Sequence, residues 1–467
     1  MGSVCLLKRI RQAPDTAASM SRGEPDCSET PLLADELTRP RRLRRLGNTR
    51  AHTCHLVERA CLWRRRVWLQ SEVPAALAKM KVRMVHVGFQ LSRVSELDIF
   101  RAGINGTGPL SYSRCVPLMW WPLWGYNIGE FFQSSVLPIA ELIASRAIGS
   151  DLLLAPEVGG WPLMEYHRLM LGAFSTHPIR STGMLAPKCG KGKQNAASEC
   201  PPPRCFEKML VCKFRDVYDG EPPIAPWSAA RRIVQSLDPR PPPPSVPEDN
   251  AAGGSLRAPP FVVLFASRGH AKNGARMLRN EAELLRACQN WRPPPGCVRS
   301  GSSSESQASP AISCEARVFG KRGFRSDVLA VQKADVLIGT HGAALVHAIF
   351  MRKGSSLIEI RPYGFDGSWP DQYHYSMARR QNATHAFVIR TTDRTLCEPI
   401  PLANVTAWDA RPLNTFVKPQ AFERALAAAA CARGGGPGVA REARVPSPAA
   451  VRPFLYGGLA SAVIENG

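Results

Sequence analysis

From Ala258 to Ala432 the chain alternates short apolar runs with stretches of helical period, and few folds satisfy that alternation. Phe261 to Phe265 is a continuous apolar run of strand length. Met277 to Cys288 has helical period, with Met277, Leu278, Leu284, Leu285 and Cys288 as its apolar positions. Glu315 to Phe319 reads as a strand and Ser326 to Lys333 as a short helix. Ala334 to Gly339 is a strand, Gly342 to Arg352 a helix, and Ser356 to Ile360 and His385 to Arg390 are further strands. Strands that are apolar on both faces and separated by helices require a parallel sheet covered on two sides. The expectation is an α/β, Rossmann-like, doubly wound domain over 258–432.

A second structured block is expected over 81–239. Val82 to Val87, Asp151 to Ala155 and Lys208 to Phe214 are strand-like, and Phe131 to Ala147 is helix-like. Pro138 inside that stretch marks a kink or a helix start. Residues 240–257 are rich in Pro and Gly and read as a linker, and 292–310 as an inserted loop. Residues 1–80 are Arg-rich and patternless, which reads as a disordered basic leader, and 433–467 as a loose tail.

The 60 Lys and Arg against 38 Asp and Glu give a formal charge of +22. Such charge attracts polyanions. It is spread along the chain without interleaved aromatics, so no nucleic-acid partner is expected. No run of about 18 apolar residues is present, and no membrane anchor is visible. No secretory signal is readable at the start. The 14 cysteines do not form paired C-x-x-C sets, so a zinc ribbon is not expected. Cys200, Cys205, Cys212, Cys288, Cys297 and Cys314 are candidates for disulfides, with free buried thiols as the alternative. Asn105, Asn382 and Asn404 each open an Asn-x-Thr sequon and lean toward a secretory route.

The sharpest motif is Ala334-Asp-Val-Leu-Ile-Gly-Thr-His-Gly-Ala-Ala-Leu345. A buried strand ends in a tight turn carrying Thr340 and His341, and a helix starts at Gly342. Open parallel sheets bind ligands at the carboxyl ends of their strands. A helix start there offers unpaired N–H groups suited to a pyrophosphate. Gly342 and Ala343 leave the backbone approachable, and His341 can donate to a phosphate oxygen; the shape equally fits a plain strand–turn–helix with His341 capping the turn. Ser267 and Arg268 close the first strand, and Arg276, Asn280 and Glu281 follow. Arg268 and Arg276 can fork onto phosphate oxygens. Asn280 and Glu281 suit ribose or base hydroxyls, and the alternative, which spacing alone favours, is a helix N-terminal turn with ordinary surface charge. No G-x-G-x-x-G, P-loop, H-E-x-x-H, G-x-S-x-G or D-x-D motif is present, so no metal site or further cofactor is expected.

These residues together resemble glycosyltransferase family 61. The likeness rests on Ser267-Arg268, on Arg276-x-Leu278-x-Asn280-Glu281, on the 334–345 motif with His347 and Phe350, and on Ile358-Glu359-Ile360 with Pro362. Cys205-Phe206-Glu207 resembles the family's Cys-Phe segment. Asn127 to Ser134 resembles its Asn-x-x-His-x-x-x-Asp segment, with Glu130 in place of His and Ser134 in place of Asp. The resemblance implies a GT-B-like fold, two Rossmann-like domains facing a cleft. It implies an inverting, metal-independent transfer from a UDP-sugar donor to a glycan or glycoprotein acceptor, in the Golgi or ER lumen. Ser267, Arg268, Arg276, Asn280, Glu281, Thr340, His341, Gly342, Ala343 and Glu359 would hold the donor. Glu130, Asp216 and Asp219 are the candidates for the catalytic base. The alternatives are a relative that binds donor without transfer, through the changes at 130 and 134, and a basic polyanion-binding protein.

Overall fold

The computed structural model describes residues 53–63, 66–69, 90–93, 112–122, 125–145, 148–158, 162–185, 204–214, 226–239, 260–269, 275–294, 297, 311–365, 384–434, 451–454 and 461–466. The protein is a mixed α/β molecule built on two seven-stranded sheets and one two-stranded ribbon. The strand expected over Val82 to Val87 and the linker at 240–257 lie outside the described residues.

The first sheet is mixed. Its strands are β1 (Thr53–Trp63), β2 (Arg66–Leu69), β3 (Gln90–Arg93), β4 (Tyr112–Ser113), β5 (Pro117–Trp120), β6 (Leu153–Pro156) and β7 (Arg204–Lys213). The spatial order is β3-β2-β1-β7-β5-β6, with β4 beside β7. β1 runs antiparallel to both β2 and β7, while β5 is parallel to β6 and β7. The strand begins where a disordered leader was expected. Arg59 and Arg64 to Arg66 mask the pattern, but Cys54, Leu56, Ala60 and Leu62 are at least partly buried. What buries them is β7, some 150 residues away in sequence, so no local signal marks the strand. Disulfides Cys54–Cys212 and Cys61–Cys205 staple β1 to β7.

Helices α1 (Ile128–Phe131) and α2 (Leu137–Ala144) are joined by a π turn at Phe132–Val136. Pro138 has no N–H to donate back along the helix, and the wider turn just before it absorbs that register change. The expected helix is therefore present, with its start moved to Ile128. Helices α3 (Glu165–Gly172), α4 (Thr182–Leu185) and α5 (Pro226–Leu237) complete the first half.

The second sheet has the expected parallel character. It contains β8 (Phe261–Ser267), β9 (Ile312–Val318), β10 (Val336–Thr340), β11 (Ser355–Arg361) and β12 (Thr384–Thr391). In space they run β9-β8-β10-β11-β12, all parallel, which is the doubly wound order 2-1-3-4-5. Helices α6 (Glu281–Asn290) and α7 (Phe324–Lys333) and a 3₁₀ helix (Ala343–Phe350) supply crossovers. Beyond β12 come the ribbon strands β13 (Cys397–Glu398) and β14 (Asn414–Thr415), with α8 (Ala407–Ala410) between them, and then α9 (Pro419–Gly434).

The alternation within each strand decides which layer it meets. Phe261, Val263, Phe265, Val336, Ile338, Ile358 and Ile360 face α6 and α9. Leu264, Ala266, Leu337 and Leu357 face α7 and the 3₁₀ helix, and that layer is continuous with the core of the first half. The two halves thus share apolar packing, and the Phe324 N–H donates to Glu165 Oε2 across the boundary at 2.7 Å.

A further correction falls at the C-terminal end. Where a loose tail was expected over 433–467, β15 (Val451–Phe454) and β16 (Ser461–Asn466) extend the second sheet, β16 parallel to β12. Asn466 is fully buried and its side chain bonds the Lys418 N–H at 2.8 Å and the Phe416 carbonyl at 2.9 Å. Only Ala462 to Ile464 are apolar there, too short a run to read as a strand alone.

Candidate functional site

In the order 2-1-3-4-5 the chain reverses direction across the sheet between β8 and β10, the place where open parallel sheets bind ligands at the carboxyl ends of their strands. The motif residues sit there. Ser267 closes β8 and Arg268 follows it. Thr340 closes β10 and His341 follows. Glu359 and Arg361 lie at the end of neighbouring β11. Gly339 lets these strands meet, because a Cβ there would stand 2.9 Å from the Ala266 Cβ.

His341 is held from behind. Its peptide N–H donates to the Ile360 carbonyl at 3.1 Å, and its ring Nδ1 lies 2.5 Å from Glu359 Oε1. Glu359 is fully buried, and its other oxygen accepts from Arg361 Nη2 at 2.8 Å and Nε at 3.2 Å. A buried carboxylate must be paired in this way. A carboxylate only accepts, so the His341 proton sits on Nδ1, and Nε2 donates only when the ring is an imidazolium. The ring also packs on Phe365, with centroids 4.7 Å apart.

Two guanidinium groups converge over Gly342. A Cβ on Gly342 would lie 2.8 Å from Arg268 Nη1 and 3.8 Å from Arg276 Nη1. The room that this glycine provides is taken by Arg268, whose Nη1 donates to the His341 carbonyl at 3.4 Å. Burial depresses the pKa of both arginines. Arg411 lowers that of Arg268 further, and Arg268 and Arg411 bring Arg276 down to about 10. Like charges held together under partial burial favour an anion between them. Neither Arg268 nor Arg276 has an ion pair among the described residues.

Arg276 has φ of 60°, a left-handed backbone that a residue with a side chain rarely adopts. Its N–H donates to the Pro412 carbonyl at 3.0 Å, and its carbonyl accepts from Thr340 Oγ1 at 2.8 Å. The surroundings fix the strained turn from both sides, a pattern associated with binding and catalytic sites.

The other donor-side candidates divide. Ser267 Oγ accepts from the Gly269 N–H at 3.2 Å and shapes the turn after β8. Asn280 uses its amide on the backbone of Val417, at 2.8 and 3.1 Å, and ties α6 to the start of α9. Glu281 opens α6 and is half-buried. Ala343 is exposed at the first position of the helix after the motif. That helix is a 3₁₀ helix, in which Leu345 N–H reaches Gly342 O at 3.0 Å.

On the first half, Glu130 lies buried in α1, whose start is capped by Asn127 Oδ1 accepting from the Gly129 N–H at 3.0 Å. Ser134 lies in the π turn. α1 packs on the 3₁₀ helix, and Phe132 meets Phe350 edge-on at 6.1 Å. The fold therefore brings the Asn127–Ser134 segment against the helix that follows His341. Asp216 and Asp219 lie outside the described residues. The motif analysis missed Arg361, Phe365 and Arg411. Arg361 had a signal, standing two residues after Glu359 on the same strand face. Phe365 and Arg411 had none, because folding alone brings them to the motif.

Residues 231–358 match the family model described as Glycosyltransferase 61. This segment resembles that family. It spans β8 through most of β11 and includes Arg268, Arg276, His341 and Gly342. The glycosyltransferase 61 match covers well under half of the chain and supports a glycosyltransferase in general terms. No curated protein matches the chain.

Proposed function

We propose that the protein is an inverting glycosyltransferase that moves a sugar from a UDP-sugar to a hydroxyl of a glycan or protein. The observation that carries this reading is the convergence of Arg268, Arg276 and His341 on Gly342 at the strand-order reversal of a parallel sheet, inside the family-matched segment. The acceptor oxygen attacks the anomeric carbon while the bond to the diphosphate breaks, and the carbon inverts. Negative charge gathers on the departing UDP. Fixed donors aimed at that charge lower the barrier without rearranging during the reaction. Arg268 and Arg276 supply them, and His341, steadied by Glu359, can add a further hydrogen bond. With guanidinium groups meeting the diphosphate, the transfer is read as metal-independent.

The acceptor's proton must pass to a base on the first half. Glu130 takes that role in this reading, because α1 lies against the 3₁₀ helix and a carboxylate can accept a hydroxyl proton. The two halves would face each other in a GT-B-like arrangement. A second reading is favoured by the residues at 130 and 134, which differ from the family pattern: a relative that binds the donor and does not transfer it.

Four disulfides between described cysteines support an oxidising compartment, the ER or Golgi lumen. Asn404, the one sequon in the described residues, is exposed beside a turn, where an N-linked glycan fits. Among the described residues no helix is long and apolar enough to cross a membrane.

The test is calorimetry of the oxidised full chain with UDP. Wild type is expected to bind, and Arg268→Ala and His341→Ala each to weaken binding by about 100-fold or more, the value of one or two charge-assisted hydrogen bonds. Folded wild type that ignores UDP ends the nucleotide-sugar reading. If UDP binds, Glu130→Ala separates the two functional readings: loss of sugar transfer with UDP affinity kept supports the enzyme, and no transfer by wild type supports the inactive relative.

A further inference from the structure

The 3₁₀ helix and the two strand ends are not the whole of the anion site. Residues 397–415 lie beyond the family-matched segment, yet they are fastened to it along two lines. The first is backbone pairing: Thr415 N–H donates to Met277 O at 2.9 Å, Arg279 N–H to Thr415 O at 2.9 Å, and Arg276 N–H to Pro412 O at 3.0 Å. Asn414 Oδ1 adds a bond from the Met277 N–H at 2.8 Å. The second is a small apolar cluster of Phe365, Cys397, Ala410 and Leu413, whose Phe365 also packs on the His341 ring. Gly364 has φ of 73°, and a Cβ there would run into Val405, so the chain turns tightly to make this contact. The two attachments bracket Arg411, between Ala410 in the apolar cluster and Pro412 in the backbone pairing. Its charge reaches both Arg268 and Arg276.

We infer that Arg411 is a third donor-binding residue, which completes with Arg268 and Arg276 a cradle for the diphosphate of a nucleoside diphosphate. The inference rests on the donor reading given above and extends it to a residue outside the matched segment. Two guanidinium groups meet at Gly342 and the charge of a third reaches both, which suits a diphosphate with its two to three negative charges on adjacent groups. Arginine suits it because each planar fork can hold two oxygens at once. The left-handed turn at Arg276 has a purpose on this account. The Pro412 carbonyl that pins it belongs to the residue after Arg411, so one contact holds the backbones of two of the three arginines side by side.

The cradle takes the diphosphate and not the nucleoside, so it is tested by separating the two. The oxidised full chain is titrated with UDP, with inorganic pyrophosphate and with uridine. Arg411→Ala is expected to weaken UDP and pyrophosphate by about tenfold or more and to leave uridine within about twofold of wild type. A residue that merely supported the fold would weaken all three together. Arg411→Lys keeps the charge and the stem while removing the fork. It is expected to weaken pyrophosphate by at least about threefold, and it serves alone if the alanine variant does not fold. Variants that bind UDP and pyrophosphate as tightly as wild type overturn the role of Arg411. Wild type that binds pyrophosphate and not UDP keeps the cradle and removes the nucleotide. Wild type that binds neither removes both.

Discussion

The two sheets have the same number of strands and reach stability by different means. The second is parallel through its centre, and its central strands are buried on both faces. The carboxyl ends of its parallel strands all point the same way, so one edge collects residues as far apart in sequence as Arg268, His341 and Glu359. The first sheet mixes directions, and its longest pair, β1 with β7, is held covalently at two places. The bonds Cys288–Cys314 and Cys297–Cys431 serve the second half differently. The former ties α6 to an edge strand, and the latter ties a loop to α9. A parallel sheet builds a site by topology, whereas an antiparallel pair far apart in sequence needs a tether to find its register.

The sharpest way to break this contrast is to remove the tethers. Cys54 and Cys212 are separated by 158 residues and Cys61 and Cys205 by 144, so either bond alone closes nearly the same loop. Loop closure of that length is worth about 5 kcal/mol in the chain-entropy account. The Cys54→Ser, Cys61→Ser double variant is expected to lose about that much in urea unfolding, and each single variant much less than half of it. Additive losses would mean that each bond acts locally and not as a tether.

On the second sheet the matching cut is Glu359→Leu. It leaves Arg361 as a buried charge without its carboxylate, a change that costs about 3–5 kcal/mol. The same variant frees the His341 ring, so UDP affinity should fall along with stability. A variant that is as stable as wild type would show that the Glu359–Arg361 pair contributes nothing net to the sheet edge.

The smallest effect compares one buried histidine from each half. Burial holds both His167 and His347 down to about 4, against 6.5 for an exposed ring. At neutral pH both states of the chain leave them neutral. As pH falls below 6.5 the unfolded chain takes up protons that the fold refuses, so stability is lost progressively down to pH 4, by about 3 kcal/mol per histidine at most. The two differ in their bonds. His167 Nε2 donates to the Gly125 carbonyl at 2.6 Å and its Nδ1 accepts from the Met164 N–H at 3.1 Å. His347 Nδ1 donates to the Ala344 carbonyl at 2.9 Å, and its buried Nε2 has no partner among the described residues. Both substitutions to Phe should flatten the acid limb of a melting-temperature profile. At pH 7.5, His167→Phe should lower the melting temperature more than His347→Phe does.

Legibility in the sequence follows the same division. Strands β8 and β10 announce themselves because burial on both faces leaves a continuous apolar run, and a glycine and a histidine follow at the end of β10. Arg268 and His341 could be nominated because they directly follow those runs. β1 was hidden because its partner is distant and arginines surround it, and β16 because three apolar residues make no pattern. Asn280 looked like a ligand group because a polar side chain at a helix start is ambiguous until its partner is seen, and its partner is the backbone of Val417. Arg411 was invisible for a related reason: its neighbours in space are more than 100 residues away in the chain.

The pairing of β16 with β12 has a practical result for anyone shortening this protein. A chain cut at residue 432, an obvious choice from composition, would bare β12 from Phe387 to Thr391. That strand carries Phe387, Val388 and Ile389 in a row, with a ladder of N–H and C=O groups seeking a partner. Such an edge recruits strands from other molecules. Aggregation of that truncated protein would then report a missing neighbour strand and not a failed fold, and supplying residues 451–466 as a separate peptide should restore solubility.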